Sequence, residues 1–225
     1  MTFSLLVRDP ATGAFGSVIS SSSPAVAARC VHLRDGVGGV HSQNITDPRL
    51  GPLVLDALES GRSAQEALDA VLSAHEHADF RQVTVIDAAG ATAVHSGANA
   101  LGMVSAQHGA QSVAAGNMLA GTEVITALLD GVAATEGELE VRLLAAFRAA
   151  LAAGGEAGPV HSAGLSVVSD AGWRVTDLRV DWSDEPFEAL AALVDMWLPQ
   201  RDAYIQRGHE PHRSPGYGVA GDDRA

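Results

Sequence analysis

The first 23 residues constrain the fold of this chain more than any other stretch. Two apolar runs, Phe3–Val7 and Ala14–Ile19, flank a turn that contains Asp9, Pro10 and Gly13. Proline fixes φ and glycine permits positive φ, so the pattern predicts a β-hairpin with a short loop. A chain terminus frays unless tertiary contacts hold it. Because the first strand is apolar along its length and pairs at once with the second, we expect it in the middle of a sheet.

Thr2 stands at the start of this predicted strand, at the edge of a core. If Met1 is removed, Thr2 carries a hydroxyl and a free α-amine on one residue. A hydroxyl alone is a weak nucleophile, but an adjacent N-terminal amine can take its proton. The pKa of an unperturbed α-amine is about 7.7–8.0, which suits a general base near neutral pH. The simpler interpretation, an ordinary small residue after an initiator methionine, stays open at this point.

Composition excludes several classes of protein. A chain of 225 residues with 47% apolar residues has room for one domain with a substantial core. The net charge of −13 argues against nucleic-acid binding, because the phosphate backbone would be repelled. The chain has no lysine, which excludes lysine-based chemistry. The sequence has no apolar run long enough to predict a membrane span. It also lacks the pattern of a secretory signal at its start, so we do not expect secretion.

The single cysteine, Cys30, cannot form an internal disulfide, which predicts a reducing, cytoplasmic location. It lies in the apolar stretch Ala25–Leu33, predicted as a strand or a short helix, where a free thiol most simply serves packing. No set of His, Asp, Glu and Cys residues has the spacing of metal ligands, so we predict no metal and no other cofactor.

Polar residues gather at the end of the predicted strand Val37–Asn44, which closes on His41, Ser42, Gln43 and Asn44. Together with the hydroxyl-rich loop Ser20–Ser23, this cluster suits the lining of a pocket, although a solvated loop would also account for it. Gly38 and Gly39 within the same strand predict a bulge or a close backbone approach.

A second polar position, Asn117, lies in the glycine-flanked segment Ala115–Gly121. The segment leads into a helix that Thr122 can cap and whose positive end suits Glu123. Such a helix start can receive an anion. Asn117 could instead bond only its own turn.

The order of elements predicts an α+β fold with antiparallel sheets and helices packed on them in layers. Ser63 and Glu66 form a capping box at one helix start. The last helix, Pro186 to about Gln206, should be kinked or interrupted by Pro199. We predict one domain over residues 1–206 and a disordered tail over residues 207–225, which is rich in glycine, proline and charge.

The order of these segments resembles the Ntn-hydrolase (N-terminal nucleophile) superfamily and, more closely, the bacterial family DUF1028, described as Ntn-hydrolase-like. The resemblance covers about Met1–Leu198 and is carried by Met1–Ser4, Val7–Pro10, Thr12–Val18, Gly36–Val40 with Gln43, Arg81–Val83, Ala115–Gly121, Ser162–Ala163 and Asp177–Asp181. It implies a four-layer αββα sandwich. Proteasome-type members use a lysine to depress the pKa of the nucleophile, and this chain has none, so Arg29 or the α-amine would replace it.

Two functions from different classes are compatible with these observations. The first is a hydrolase of a small-molecule amide or related C–N bond, with Thr2 as nucleophile. Its other predicted site residues are Asn44 and Asn117 for the oxyanion, and Ser22, His41 and Gln43 for orienting the substrate or the amine. The second is a non-catalytic Ntn-like scaffold that binds a small metabolite or a protein partner. A serine nucleophile from Ser20–Ser23 is a weaker third option, since no G-x-S-x-G elbow is present. A homo-oligomer is compatible with either function.

Overall fold

The computed structural model describes residues 1–222, which form two antiparallel β-sheets and six α-helices. The strands are β1 (Thr2–Arg8), β2 (Phe15–Ser21), β3 (Val31–Arg34), β4 (Gly38–Asn44), β5 (Arg81–Asp87), β6 (Thr92–Ser96), β7 (Ser105–Gly109), β8 (Ser112–Asn117), β9 (Ser162–Val168) and β10 (Arg174–Val180). The helices are α1 (Val26–Cys30), α2 (Leu50–Glu59), α3 (Ala64–Leu72), α4 (Glu123–Ala134), α5 (Leu139–Ala152) and α6 (Pro186–His209).

The larger sheet has the strand order β10-β9-β2-β1-β8-β7, and the smaller sheet has the order β3-β4-β5-β6. The predicted hairpin is confirmed, with register pairs that run from Thr2 and Ser21 to Arg8 and Phe15. Because β8 pairs with the other edge of β1, the first strand lies inside the sheet, as predicted. The start of the chain is therefore held by hydrogen bonds on both sides.

Alternate residues of β1 serve two different layers. Phe3 and Leu5 pack against the helices α4, α5 and α6 on the outer face of the larger sheet. Ser4 and Leu6 point the other way, towards the smaller sheet. On the far side, α2 and α3 cover the smaller sheet with an apolar core that includes Leu50, Val54, Leu68, Val83 and Val85. This is the predicted four-layer αββα sandwich.

The space between the two sheets is apolar at one end and polar at the other. Its apolar end is filled by Leu6, Phe15, Ile86, Val113 and Val168. At the other end, buried hydroxyl and amide side chains take their place, and hydrogen bonds join the two sheets there. Burying polar groups is costly unless they are hydrogen-bonded, so this end of the sandwich needs a specific network.

The structure confirms one predicted helix cap and differs from another. Ser63 and Glu66 form the predicted capping box. The stretch Ala25–Leu33 contains a short helix and then a strand, and Cys30 is the last residue of that helix. Burial raises the pKa of the Cys30 thiol to about 11, in keeping with a packing role. Thr122 precedes α4, but its side chain makes no capping hydrogen bond.

Of the two outcomes predicted at Pro199, a kink or an interruption, the interruption is wrong, since α6 continues through Pro199 to His209. Pro199 lies on the exposed face of α6, where water can satisfy the carbonyl that loses its partner. Within the tail predicted over residues 207–225, Arg207 stacks over the rings of Tyr204 and Tyr217, 4.9 and 3.8 Å from their centroids. The last three residues, 223–225, lie outside the described part. None of the helices within residues 1–222 has the length and apolar character needed to span a bilayer.

Candidate active site

Thr2 begins β1 between its two register partners, Ser21 on β2 and Asn117 on β8. Paired residues on neighbouring strands present their side chains to the same face of a sheet, so all three lie on the face that meets the smaller sheet. Thr2 is only 5% exposed. Its hydroxyl donates to the Met1 carbonyl oxygen at 2.5 Å, and the Ser21 hydroxyl donates to the same oxygen at 2.6 Å. Met1 thus covers a buried pair of hydroxyls.

A chain of buried side chains connects the two sheets next to Thr2. The Ser4 hydroxyl donates to Gln43 Oε1 at 2.6 Å, and Gln43 Nε2 donates to Gln82 Oε1 at 2.9 Å. Asn117 Nδ2 donates to the same Gln82 oxygen at 3.1 Å. Both glutamines and Asn117 are fully buried. The predicted cluster at Gln43 and the separate polar position Asn117 therefore belong to one network.

Backbone carbonyls fix the orientation of each amide in this network. Gln43 Nε2 also donates to the carbonyl of Ala115 at 3.2 Å, and Gln82 Nε2 donates to the carbonyl of Gly116 at 3.1 Å. Only the NH₂ end of an amide can donate to a carbonyl, so neither glutamine can be turned round. The oxygen of Gln82 therefore faces Asn117, and Asn117 has to donate to it from its own NH₂ group.

The network consequently ends in an unused acceptor. Asn117 Oδ1 is buried and has no hydrogen-bond partner among residues 1–222. Leaving a buried acceptor unpaired costs about 1–3 kcal/mol. Because Asn117 pairs with Thr2 in the sheet, their Cβ atoms are about 4.5–5.5 Å apart by the geometry of antiparallel strands. A donor group at the start of β1 would satisfy this oxygen.

Asn44, the other asparagine predicted for the site, has a different environment. It ends β4 in a left-handed conformation with φ of 70°. Its Nδ2 donates to the carbonyl of Phe80 at 2.7 Å, and its Oδ1 accepts from the backbone N–H of Leu101 at 3.2 Å. The side chain braces two loops, and no hydrogen bond described for residues 1–222 joins it to Thr2 or Asn117.

No hydrogen bond described for residues 1–222 joins His41 or Ser22 to the Thr2 hydroxyl. His41 is fully buried between the sheets, with Nε2 2.7 Å from the Ser17 hydroxyl. Burial, with smaller contributions from His32 and Arg174, lowers its pKa to about 3, so the ring is neutral at physiological pH. Ser22 follows β2, and its backbone N–H donates to a carboxylate oxygen of Glu156 at 3.0 Å.

Glu156, on the loop after α5, was not predicted from the sequence and lies beside the end of β2. Its carboxylate is 5% exposed and also accepts from the Ser20 hydroxyl at 3.1 Å. Burial raises the pKa of Glu156 to about 7, against the opposing effects of the N-terminal ammonium and the two hydrogen bonds. A single acid in a glycine- and alanine-rich loop carries no recognisable motif.

Gln82 was also missed as a site residue, although a signal for it was present. It is a polar residue on a strand whose buried residues include Val83, Val85 and Ile86, and it pairs in register with Gln43. Arg29, considered as a replacement for the missing lysine, donates from Nη2 to the carbonyl of Pro24 at 2.8 Å. None of its hydrogen bonds described within residues 1–222 reaches Thr2.

Two facing antiparallel sheets between helical layers form a four-layer αββα sandwich, and a buried threonine begins one of the inner strands of the larger sheet. The chain belongs to the family described as a family of unknown function, DUF1028, whose model matches residues 2–190. No curated protein matches the chain.

Two solved structures illustrate these similarities. The chain is 28% identical to a DUF1028 protein from Silicibacter pomeroyi, with a TM-score of 0.85 over 92% of this chain and 90% of that one. A more distant similarity, 11% identity and a TM-score of 0.40, connects it with Anbu (ancestral beta-subunit) from Yersinia bercovieri, over 88% of this chain and 97% of that one. The second similarity is too low to support a conclusion about this chain.

Proposed function

We propose that this protein hydrolyses a small-molecule amide or related C–N bond, with Thr2 as the nucleophile once Met1 has been removed. The observation that carries the proposal is the pairing of a buried Thr2 hydroxyl with Asn117, whose side-chain oxygen has no partner within residues 1–222. Unpaired buried polar atoms are rare in proteins and call for an explanation such as a ligand or a reacting group.

In the proposed reaction, Thr2 Oγ1 attacks the carbonyl carbon of the amide while the α-amine of Thr2 takes the hydroxyl proton. The C–N bond then breaks, and the leaving nitrogen receives that proton. Water hydrolyses the resulting ester and restores the threonine hydroxyl. The chain has no lysine, so the α-amine is the base available on the nucleophile itself.

Met1 occupies the place where this chemistry would begin. Its carbonyl oxygen accepts both the Thr2 and the Ser21 hydroxyl protons. Removal of Met1 frees both hydroxyls and leaves an α-amine on the residue that pairs with Asn117. An amine is the kind of donor that Asn117 Oδ1 lacks, and the bond would orient the nitrogen beside Thr2 Oγ1.

Asn117 and Ser21 are the proposed donors to the oxyanion. Asn117 Nδ2 carries two N–H groups, of which one is directed at Gln82. The Ser21 hydroxyl is released when the Met1 carbonyl leaves. Loss of one such donor typically costs about 2.7–4 kcal/mol of transition-state stabilisation. Gln43 contributes by fixing the orientation of Gln82 and, through it, that of Asn117.

The experiment is a screen of small amides, lactams and ureido compounds with protein whose N-terminus has been verified by intact mass. The Met1-free protein should turn over a compound that Thr2→Ala does not, while Thr2→Ser keeps part of the activity. Thr12→Ala is the matched control, because Thr12 lies exposed in the β1–β2 turn and its hydrogen bonds described within residues 1–222 are to Asp9 and Ala14. Undiminished turnover by a folded Thr2→Ala protein would refute the proposal.

The alternative of a non-catalytic scaffold is favoured by one observation, the closed arrangement around the Met1 carbonyl. With Met1 in place, both hydroxyls at the start of β1 are already satisfied. The same intact-mass measurement separates the two functions. A mass lower by one methionine residue favours the hydrolase, whereas the full mass in protein isolated from its source favours the scaffold.

A further inference from the structure

We propose that Glu156 is a positioning residue that holds the α-amine of Thr2 and sets its protonation. The inference rests on the proposed function, because it concerns the Met1-free chain. It assigns a purpose to the buried carboxylate nearest the start of β1, which the reaction above leaves unused.

The loop that carries Glu156 crosses the ends of three central strands. Beyond β8, the backbone N–H of Ala157 donates to the carbonyl of Met118 at 2.9 Å. At the start of β1, Gly158 lies against the Met1 side chain. At the end of β2, the backbone N–H of His161 donates to the carbonyl of Ser21 at 2.9 Å. Residues 156–161, here termed the crossing segment, therefore span the entrance to Thr2.

The hydrogen bonds of Glu156 hold its carboxylate at the end of β2, on the helix-covered side of the sheet, because its partner Ser20 pairs with Phe3. Its two partners, the Ser20 hydroxyl and the Ser22 backbone N–H, stand on either side of Ser21. Ser21 is the register partner of Thr2. A carboxylate held on both neighbours of Ser21 is fixed at the height of the first residue of β1.

A buried carboxylate is costly unless a positive charge or several hydrogen bonds compensate it. Within residues 1–222, the charged group that acts on Glu156 is the N-terminal ammonium, and the polar groups that face it are Ser20 and Ser22. Removal of Met1 moves the ammonium by one residue, about 3.3 Å along the strand. The new ammonium stays at this end of the sheet, where Glu156 attracts it.

The expected consequence is electrostatic. A carboxylate beside an ammonium favours the charged form, so Glu156 should raise the pKa of the Thr2 α-amine. It would also direct the N–H groups of the amine towards the carboxylate and towards Asn117, which leaves the nitrogen lone pair for the hydroxyl proton. Arg29 needs no part in this arrangement.

The test measures the amine itself and needs no substrate. Met1-free protein is prepared from a cleavable N-terminal fusion, and periodate is used to cleave the 2-hydroxy amine of Thr2. Periodate reacts with the unprotonated amine, so the rate as a function of pH, followed by intact mass, reports the pKa of the α-amine. In Glu156→Gln, we expect that pKa to fall by about one pH unit.

Asp184→Asn is the matched control. It removes the same charge from a side chain that is 92% exposed near His161, and it should leave the periodate profile unchanged. Glu156→Asp keeps the charge but withdraws it by one methylene, so the pKa of its α-amine should lie between those of wild type and Glu156→Gln. If Glu156→Gln fails to fold, the comparison of wild type with Glu156→Asp still decides, since moving the carboxylate should lower the pKa measurably.

A folded Glu156→Gln protein with the wild-type profile would overturn the inference. So would an unchanged profile in Glu156→Asp when the Gln variant does not fold. These outcomes are independent of the proposed function, because the periodate reaction proceeds whether or not the protein hydrolyses an amide. If the protein hydrolyses an amide but Glu156→Gln leaves the pKa of the α-amine unchanged, the proposed function stands and the proposed role of Glu156 is refuted.

Discussion

Asn117 donates a 3.1 Å hydrogen bond to Gln82 across the gap between the two sheets. Through this contact, the strand beside Thr2 is attached to the opposite sheet at the end where the interior is polar. Gln82 also accepts from Gln43 and donates to Ser96, so one fully buried side chain serves both sheets. The stability of the sandwich and the geometry of the candidate site depend on the same amide.

We therefore expect Gln82→Leu to lower the free energy of unfolding by about 2 kcal/mol or more, because it leaves two buried donors without their acceptor. Urea denaturation followed by circular dichroism measures the change. Gln65→Ala is the control, since Gln65 is exposed and its side-chain hydrogen bond described within residues 1–222 is to Asp69, and it should change stability by less than about 0.5 kcal/mol. Equal effects in the two variants would contradict a structural role for the network.

The two asparagines should separate activity from stability. In a Met1-free protein with a measurable amide substrate, Asn117→Ala should lower kcat by about 10²-fold or more, as expected for a lost oxyanion donor. Asn44→Gly keeps the left-handed backbone available and removes only the brace to Phe80 and Leu101. It should cost about 1 kcal/mol of stability with kcat changed only a few-fold. The reverse order of effects on kcat would exclude Asn117 from the reaction.

His41 should make the fold sensitive to acid. Its pKa is about 3 in the folded protein and near 6.5 when unfolded, so the unfolded state binds the proton first. The contribution of the neutral ring to the free energy of unfolding is therefore complete above pH 6.5. It falls by up to about 1.4 kcal/mol per pH unit as the pH decreases towards 3. His32, whose pKa is also lowered, acts in the same direction, whereas Glu156 acts in the opposite one.

The measurement compares the slopes of unfolding free energy against pH between 6.5 and 4.5. His41→Gln should flatten the slope relative to wild type, whatever its absolute stability. His77→Gln provides the control, since His77 lies exposed after α3. A slope unaffected by His41→Gln would show that the ring does not remain neutral in the folded protein.

Gly38→Ala should be poorly tolerated. Gly38 begins β4 with φ of 154°, and a Cβ there would overlap the carbonyl oxygen of Ile86 on the neighbouring strand. We expect a loss of about 2 kcal/mol or more, visible as a lowered Tm. Gly36→Ala is the matched comparison, because Gly36 also has positive φ but has nothing within 4 Å of such a Cβ. Its cost should be limited to backbone strain, about 1 kcal/mol.

The architecture was accessible from the sequence because its strongest signals are local. The hairpin of β1 and β2, the capping box at Ser63 and the close approach at Gly38 each depend on neighbouring residues or on backbone sterics. The interruption predicted at Pro199 was wrong because it, too, relied on a local signal. A helix tolerates a proline on a solvated face, and which face is solvated is decided by packing that local patterns do not specify.

The site was only partly accessible for the same reason. Thr2, Gln43 and Asn117 stand out as polar residues at strand ends, and the structure brings them to one end of the sandwich. Asn44 has the same residue type and position in a strand, yet it serves two loops. Glu156 lies 154 residues after Thr2 in the sequence, and only the crossing segment brings it near. Such pairings arise from tertiary topology.

The central position of β1 has a practical consequence for recombinant work. Because β1 is hydrogen-bonded on both edges, residues added before Met1 cannot run sideways along the sheet. They would have to pass the crossing segment, and they would displace it from the candidate site. Purification handles belong after α6, which packs on the face of the larger sheet opposite to the one that carries the Thr2 hydroxyl. Assays on protein with an N-terminal tag would measure a molecule whose candidate active site is blocked.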